Sequence, residues 1–387
     1  MPRFRFCGRV PCVAILAMVF YLCVKHTHVV TDVGTSRKII EYVRRGSLPA
    51  LRNDEMSEKT ERIVSKYAWV FKKNYLPNFY LRPTQKNLYL SDHVYSNSTI
   101  VFVHNQKSGG SNTKYCWKSI LRDEGRDLPI LAANTNAEEF YTEMLHNESN
   151  QRLAQSYMGD STFGICDFTE APCSYFTMLR DPYERVISSY NMCKTSTQQQ
   201  CIVKNASTRS VNEWAVHQGS FFFRQLLTNP AFFTPLYIQL VDKLRGPNDS
   251  VTNMIPPWWK TELILRHLLT NDEREVLLQY VLGRLEYWFA VIGLTEEFDE
   301  SFLMFEEVYK LPFHTKCTPE YLMKKRNYTA TSDVNIGKDE IVKTLRDVMM
   351  SDPEVSRALY YDNEIYRKAK DTFRRQKLSY ENRQTHI

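Results

Sequence analysis

The chain of 387 residues has no internal repeat and no low-complexity tract, which excludes solenoid and collagen-like architectures. None of its nine cysteines forms a C-x-x-C pair, so the usual spacing of a structural zinc site is missing. The G-x-x-x-x-G-K-[ST] loop that cradles nucleotide triphosphates is also missing. That argues against a nucleotide kinase, which would need that loop and metal-binding carboxylates. Long apolar runs are scarce. The run from Val10 to Val24 falls short of the roughly 17–25 residues that usually span a membrane. Hydrophobic residues nevertheless make up 43% of the chain, ample for a core in one large domain with extensions.

Two segments about seventy residues apart stand out. The first begins with Ile100, Val101, Phe102 and Val103, an apolar β-branched run expected of a buried parallel strand. It stops at His104. Lys107, Ser108, Gly109, Gly110, Ser111 and Asn112 follow, and then an amphipathic helix is expected from about Ser111 to Arg122, with Tyr115, Trp117, Ile120 and Leu121 on one side. Paired glycines allow a tight turn with no Cβ in the way of a ligand. The helix start then directs free N–H groups and the positive dipole end at an anion. Lys107 adds a full charge, and Ser108, Ser111 and Thr113 offer hydroxyls. Taken alone, the tetrapeptide also reads as a glycine turn with an exposed lysine.

The second segment runs from Phe176, Thr177, Met178 and Leu179, another buried strand, into Arg180-Asp181-Pro182. Asp181 suits an N-cap, Pro182 the first helical position, and Glu184 stands three residues past the cap. Val186, Ile187 and Tyr190 supply an inward face. A cation at a helix N-terminus is unfavourable unless an anion sits beside it. Arg180 and Ser188 can therefore grip one phosphate from two sides. The alternative is that Arg180 pairs with a nearby carboxylate and Ser188 is a solvated helix serine.

Together these segments resemble the PAPS-dependent Golgi carbohydrate sulfotransferases. His104–Asn112 is similar to the family's H-I-P-K-T-G-G-T-S, and Leu179–Tyr190 matches L-R-D-P-x-x-R-x-x-S-x-Y at each fixed position. Phe289–Phe305 resembles the family's late strand and helix, and Asp362–Tyr366 with Phe373 resembles its D-x-x-L-Y…F ending. The likeness spans about 99–373. It implies an α/β, P-loop-like sulfotransferase fold, with a central parallel sheet flanked by helices. It implies sulfuryl transfer from PAPS (3′-phosphoadenosine 5′-phosphosulfate) to a sugar hydroxyl, with no metal required. By position, Lys107, Ser108, Gly109, Gly110, Ser111 and Asn112 would hold the 5′-phosphosulfate, and Arg180 and Ser188 the 3′-phosphate. Two departures are visible. Asn105-Gln106 replaces Ile-Pro, which bears on loop rigidity, and Asn112 replaces a hydroxyl residue with an amide.

Lys107 is placed to stabilise charge on the leaving phosphate. The proton-accepting base is less legible. In related glycosaminoglycan sulfotransferases a histidine or glutamate does this work, often in a Gly-His segment before the second loop. The comparable stretch, Met158 to Glu170, has no histidine, and Asp160 occupies the matching position. Asp160, then Glu170, then Asp167 are the candidates, each needing burial to raise its pKa and each taken singly reading more readily as a cap or surface charge. His104 reads as a strand-end residue packing under the loop rather than a base. A non-catalytic glycan-binding protein on the same fold is the rival reading.

Arg3, Arg5 and Arg9 precede the apolar run, and Cys23-Val24-Lys25-His26 is a poor cleavage site. The expected layout is a cytoplasmic tail at 1–9, a signal-anchor transmembrane helix at 10–24, a lumenal stem at 25–91 and the catalytic domain at 92–387. That is a single-pass type II Golgi membrane protein; a cleaved signal peptide is the alternative. Ile63, Tyr67, Val70 and Phe71 give the stem a face for self-association into a homo-oligomer, with a solvated tether as the alternative. Asn97, Asn147, Asn205, Asn248 and Asn327 lie in N-x-[ST] sequons. Cys116, Cys166, Cys173, Cys193, Cys201 and Cys317 allow up to three disulfides in an oxidising lumen, with pairing left open.

A net charge of +6 suits an anionic carbohydrate acceptor, and no nucleic acid is expected as partner. Trp258, Trp259 and Lys260 can meet sugar rings or form an ordinary aromatic cluster. Lys324-Lys325-Arg326 can touch acceptor or nucleotide, or lie in a solvated loop. Further helices are expected over Asp272–Leu285, after Thr295 as a cap, and from Asp352-Pro353 to the end, with a strand at Trp288–Ile292.

Overall fold

The computed structural model describes residues 60, 62–63, 76–81, 94–132, 139–140, 156–167, 172–196, 201, 206–228, 269–317 and 339–385. All of them belong to one unit, Leu48–Ile387. The tail, the apolar run at 10–24 and most of the stem lie outside the described residues. So do Glu170, Trp258, Trp259, Lys260, Lys324, Lys325, Arg326 and every sequon but the exposed Asn97. Among the described residues no helix is long and apolar enough to cross a membrane.

Five parallel strands form one sheet in the order β2-β3-β1-β4-β5. They are β1 (Thr99–Val103), β2 (Ile130–Leu131), β3 (Ser156–Gly159), β4 (Cys173–Leu179) and β5 (Phe289–Leu294). Every residue of β1, β3, β4 and β5 is buried, as a sheet covered on both faces requires. Between them lie α1 (Gly110–Asp123), α2 (Pro182–Cys193), α3 (Val211–Gln218), α4 (Phe221–Leu226) and α5 (Asn271–Trp288). After β5 come α6 (Phe298–Tyr309), α7 (Phe313–Cys317), α8 (Asp339–Met350), α9 (Pro353–Ala358) and α10 (Tyr360–Gln384).

Strand alternation sorts the aromatic core into two layers. Phe176 points to one face, stacked on Phe102 at 4.8 Å and edge-on to Trp117 of α1 and Phe305 of α6 at 5.3 and 5.1 Å. Its neighbour Tyr175 points to the other, 5.1 Å from Phe163. Each such ring contributes about 2–3 kcal/mol on burial. The edge strand β5 would leave backbone groups unpaired. Gln376 of α10 covers them, donating to the Ile292 carbonyl at 2.7 Å and accepting from its N–H at 2.9 Å.

The six cysteines close three disulfides: Cys116–Cys317, Cys166–Cys173 and Cys193–Cys201, with Cα separations of 5.4, 5.5 and 4.9 Å. The first staples α1 to α7 across 201 residues. Two expectations are corrected. Thr295 does not cap a helix; it sits in a short 3-10 turn, and its hydroxyl donates instead to the Leu179 carbonyl at 3.0 Å. That bond ties the ends of β5 and β4 together. The segment from Asp352 is two helices rather than one, with α10 starting afresh after Leu359.

The chain leaves β1 towards β2 and β3 on one side, then crosses to β4 and β5 on the other. This reversal at the carboxyl ends of β1 and β4 makes the crevice where open α/β sheets hold ligands. Val103 pairs with Thr177, so the turns that follow β1 and β4 emerge side by side.

Candidate active site

The turn after β1 passes through two left-handed residues, Lys107 at φ 65° and Gly109 at φ 72°. Only a few per cent of non-glycine residues adopt such a φ, and those that do cluster at functional sites. The turn delivers α1 with Gly109 at its N-cap and no side chain closing the cap. Its free N–H groups therefore face the crevice. A Cβ on Gly110 would lie 1.9 Å from the His104 ring, so the turn can close only over glycine. His104 thus lies under the loop, as its position at the strand end suggested.

Ser108 is fully buried, and its Oγ has no hydrogen-bond partner. The Oδ1 of Asn105, a residue 3% exposed, is in the same condition. Orphaned buried polar atoms are costly and ask for an occupant. Both belong to the turn that the sequence assigns to an anion. Thr113 offers nothing to a ligand, because its hydroxyl donates back to the Gly109 carbonyl at 3.2 Å. Ser111 and Asn112 are exposed in the first turn of α1.

The turn after β4 is built differently. Asp181 caps α2, accepting from Tyr183 N at 3.0 Å and Glu184 N at 3.2 Å, with Pro182 at the first position. Arg346 of α8 pairs with Asp181 at 2.6 Å, and the Asp181 N–H donates to Glu296 at 2.9 Å. Arg180 reaches forward to Glu184 at 3.2 Å. Glu184, Ser188 and Met192 are spaced four apart and share one face of α2. Lys107 Nζ contacts Met192 Sδ at 3.5 Å, so that face looks towards the first turn. Lys107, Arg180 and Ser188 accordingly border one crevice, with Ser188 half-buried.

Sequence reasoning missed two buried pairs beneath this crevice, one an ion pair and one a histidine–carboxylate hydrogen bond. Arg185, the second arginine of the L-R-D-P-x-x-R segment, is 2% exposed and lies 3.9 Å from Asp362 of the terminal segment. Asp362 also accepts from Phe222 N at 3.1 Å and Phe223 N at 2.8 Å, which anchors α4. Burial pushes Arg185 down to about 10 and pushes the Asp362 carboxyl above its ordinary range, the opposite charge resisting in each case. The signal was present, since both residues occupy fixed positions of the matched patterns.

The other pair joins His104 Nδ1 to Asp160, at the adjacent ends of β1 and β3. Gln106 Nε2 donates to the second Asp160 oxygen at 2.8 Å. Gln225 of α4 donates to the carbonyls of both His104 and Asp160, each at 2.9 Å. Burial pushes the Asp160 carboxyl up. The charge and hydrogen bond of His104, the charge of Lys114 and the bond from Gln106 outweigh it and hold the carboxyl below its ordinary 3.8. The raised pKa that a base at Asp160 requires is therefore not what this environment produces. Asp167 ends a short 3-10 turn following β3.

Residues 93–258, which include both turns, match the profile of a sulfotransferase family. This region is a sulfotransferase-family domain. Golgi carbohydrate sulfotransferases belong to the same family. No curated protein matches the chain in sequence. The family's sulfuryl donor is PAPS, and the sulfotransferase crevice fits it. Two anion-seeking turns emerge from neighbouring parallel strands, and the first holds buried polar atoms without partners.

Proposed function

We propose that the protein transfers a sulfuryl group from PAPS to a hydroxyl of a carbohydrate, acting in the Golgi lumen from an anchor at 10–24. The observation that carries the reading is the pairing of β1 with β4, which brings the Lys107–Gly110 turn and Arg180 to one crevice. Lys107, Ser108, Gly109, Gly110, Ser111 and Asn112 would hold the 5′-phosphosulfate, and Arg180 and Ser188 the 3′-phosphate. The donor supplies an activated sulfuryl group.

The chain's own residues do the rest. Backbone N–H groups at the start of α1 orient the phosphosulfate end. Lys107 opposes the charge that builds on the departing phosphate, an effect of about 3–4 kcal/mol for such groups. Arg180 exchanges Glu184 for phosphate. Glu184 keeps Arg346 at 3.9 Å, so it does not lose all cationic company. Holding both phosphates fixes the sulfur against the acceptor hydroxyl. The net charge of +6 supports an anionic polysaccharide as acceptor.

The lowered pKa of Asp160, which leaves this carboxylate a poor proton acceptor, favours a second reading: a glycan-binding protein without transfer. One assay separates them. The full-length chain with ³⁵S-labelled PAPS and a glycan panel should give labelled product in the first case. Glycan binding without incorporation would establish the second.

A further inference from the structure

We propose that His104 is the general base of this sulfotransferase and that Asp160 is the positioning residue that orients it. The assignment rests on the proposed transfer and names the group that accepts the acceptor's proton.

The imidazole sits at the end of β1, three residues before Lys107. Asp160 engages Nδ1. With the carboxylate ionised on that side, the ring proton belongs on Nδ1 and the lone pair on Nε2. Nε2 has no hydrogen-bond partner among the described residues. Its edge of the ring faces the glycine turn, since a Cβ on Gly110 would lie 2.3 Å from Nε2. Only glycine fits at 110 beside that edge, so the ring packs against the backbone that would hold the phosphosulfate. The side chain is 9% exposed.

Asp160 is poorly suited to the proton itself. Both of its oxygens are engaged, by His104 and Gln106. Gln225 holds the backbone carbonyls of both residues through one nitrogen, which fixes the dyad from α4. One further charge bears on the dyad, that of Lys114 from α1. Burial pushes Lys114 down, against the pull of Asp160. A carboxylate on one nitrogen and a free lone pair on the other is the arrangement that makes histidine a proton acceptor.

The step balances as follows. The acceptor O–H proton moves to Nε2 while that oxygen bonds to sulfur. The bond between sulfur and the bridging phosphate oxygen breaks, and its electron pair stays on the phosphate. The products are a sulfate ester and adenosine 3′,5′-bisphosphate. The imidazolium, stabilised by Asp160, returns its proton to water.

The test uses the full-length chain, ³⁵S-labelled PAPS and chemically desulfated heparin and chondroitin as acceptors. His104→Ala should lower kcat by about 100- to 10,000-fold, with affinity for adenosine 3′,5′-bisphosphate within about threefold of wild type. Added imidazole should restore part of kcat. Asp160→Asn, which keeps the shape, should lower kcat and shift the acid limb of the pH profile, leaving KM for the donor little changed. Unchanged kcat in His104→Ala would overturn the assignment. So would loss of turnover that only parallels loss of bisphosphate binding and resists imidazole, because His104 would then be merely the floor of the turn. Wild-type protein that binds the bisphosphate but transfers nothing would overturn the proposed function, and this assignment with it.

Discussion

The two turns of the crevice do related work and are built by opposite means. The turn after β4 starts from its own sequence, in which Asp181 caps, Pro182 starts the helix, and Arg180 and Glu184 pair along it, and Arg346 and Glu296 then brace it. The turn after β1 is held from outside. It has left-handed residues at 107 and 109 and no cap, and it rests on His104, which Asp160 and Gln225 fix from β3 and α4. In the first case local chemistry determines the geometry. In the second, tertiary contacts determine it, and the strain and orphaned polar atoms are left facing the ligand. Gln106 illustrates the difference. It stands where the family pattern has proline, and its side-chain bond to Asp160 supplies the rigidity that the ring would have given.

This contrast can be broken at several points. The largest effect is expected beneath the second turn, where Asp362→Ala strands Arg185 in the core. That should cost about 3–5 kcal/mol in urea unfolding; a loss below about 1 kcal/mol would show that α2 is not anchored there. Lys107→Ala comes next, lowering kcat by about 100- to 1,000-fold while the melting temperature holds, since alanine keeps the Cβ that strains the left-handed position. Gly110→Ala should destabilise by about 1–3 kcal/mol, as overpacking does, because its Cβ meets His104. Gly125→Ala, at φ 63° with no heavy atom near its Cβ, reads the separate cost of a left-handed backbone, which Gly110 does not carry. Asp181→Ala should cost only about 1 kcal/mol, the usual value of a cap.

Acid should also distinguish the turns. The folded-state pKa of Asp160 is lowered, so its contribution to stability is present above the ordinary carboxylate value of 3.8 and fades as pH falls below it. Thermal melts of Asp160→Asn should lose less stability than wild type between pH 5 and 3, a window of about two units around that titration.

The parallel sheet and the strand-to-helix turns after β1 and β4 were legible because each is written locally. A β-branched run marks β1, an apolar run marks β4, and Asp181-Pro182 marks α2. Boundaries shifted by a few residues where local signals gave way to packing. Helix α5, expected over Asp272–Leu285, runs Asn271–Trp288, because Thr270 and Glu273 form its capping box and Trp288 is buried at its far end. What the sequence concealed was partnership at long range. Asp160 was weighed as an isolated carboxylate needing burial to become basic, and the residue bonded to it stands 56 positions earlier. Arg185 and Asp362 are separated by still more chain. The pairing of Cys116 with Cys317, 201 positions apart, was beyond reach for the same reason.

Calorimetry of adenosine 3′,5′-bisphosphate against adenosine 5′-monophosphate tests the two-turn clasp most directly. Wild type should prefer the bisphosphate. Arg180→Ala should remove that preference, a loss of about 10- to 100-fold for a charged hydrogen-bonding pair, and leave the monophosphate affinity unchanged. Lys107→Ala should weaken both nucleotides. No measurable heat with the bisphosphate, or an Arg180→Ala protein that still prefers it, would contradict the account.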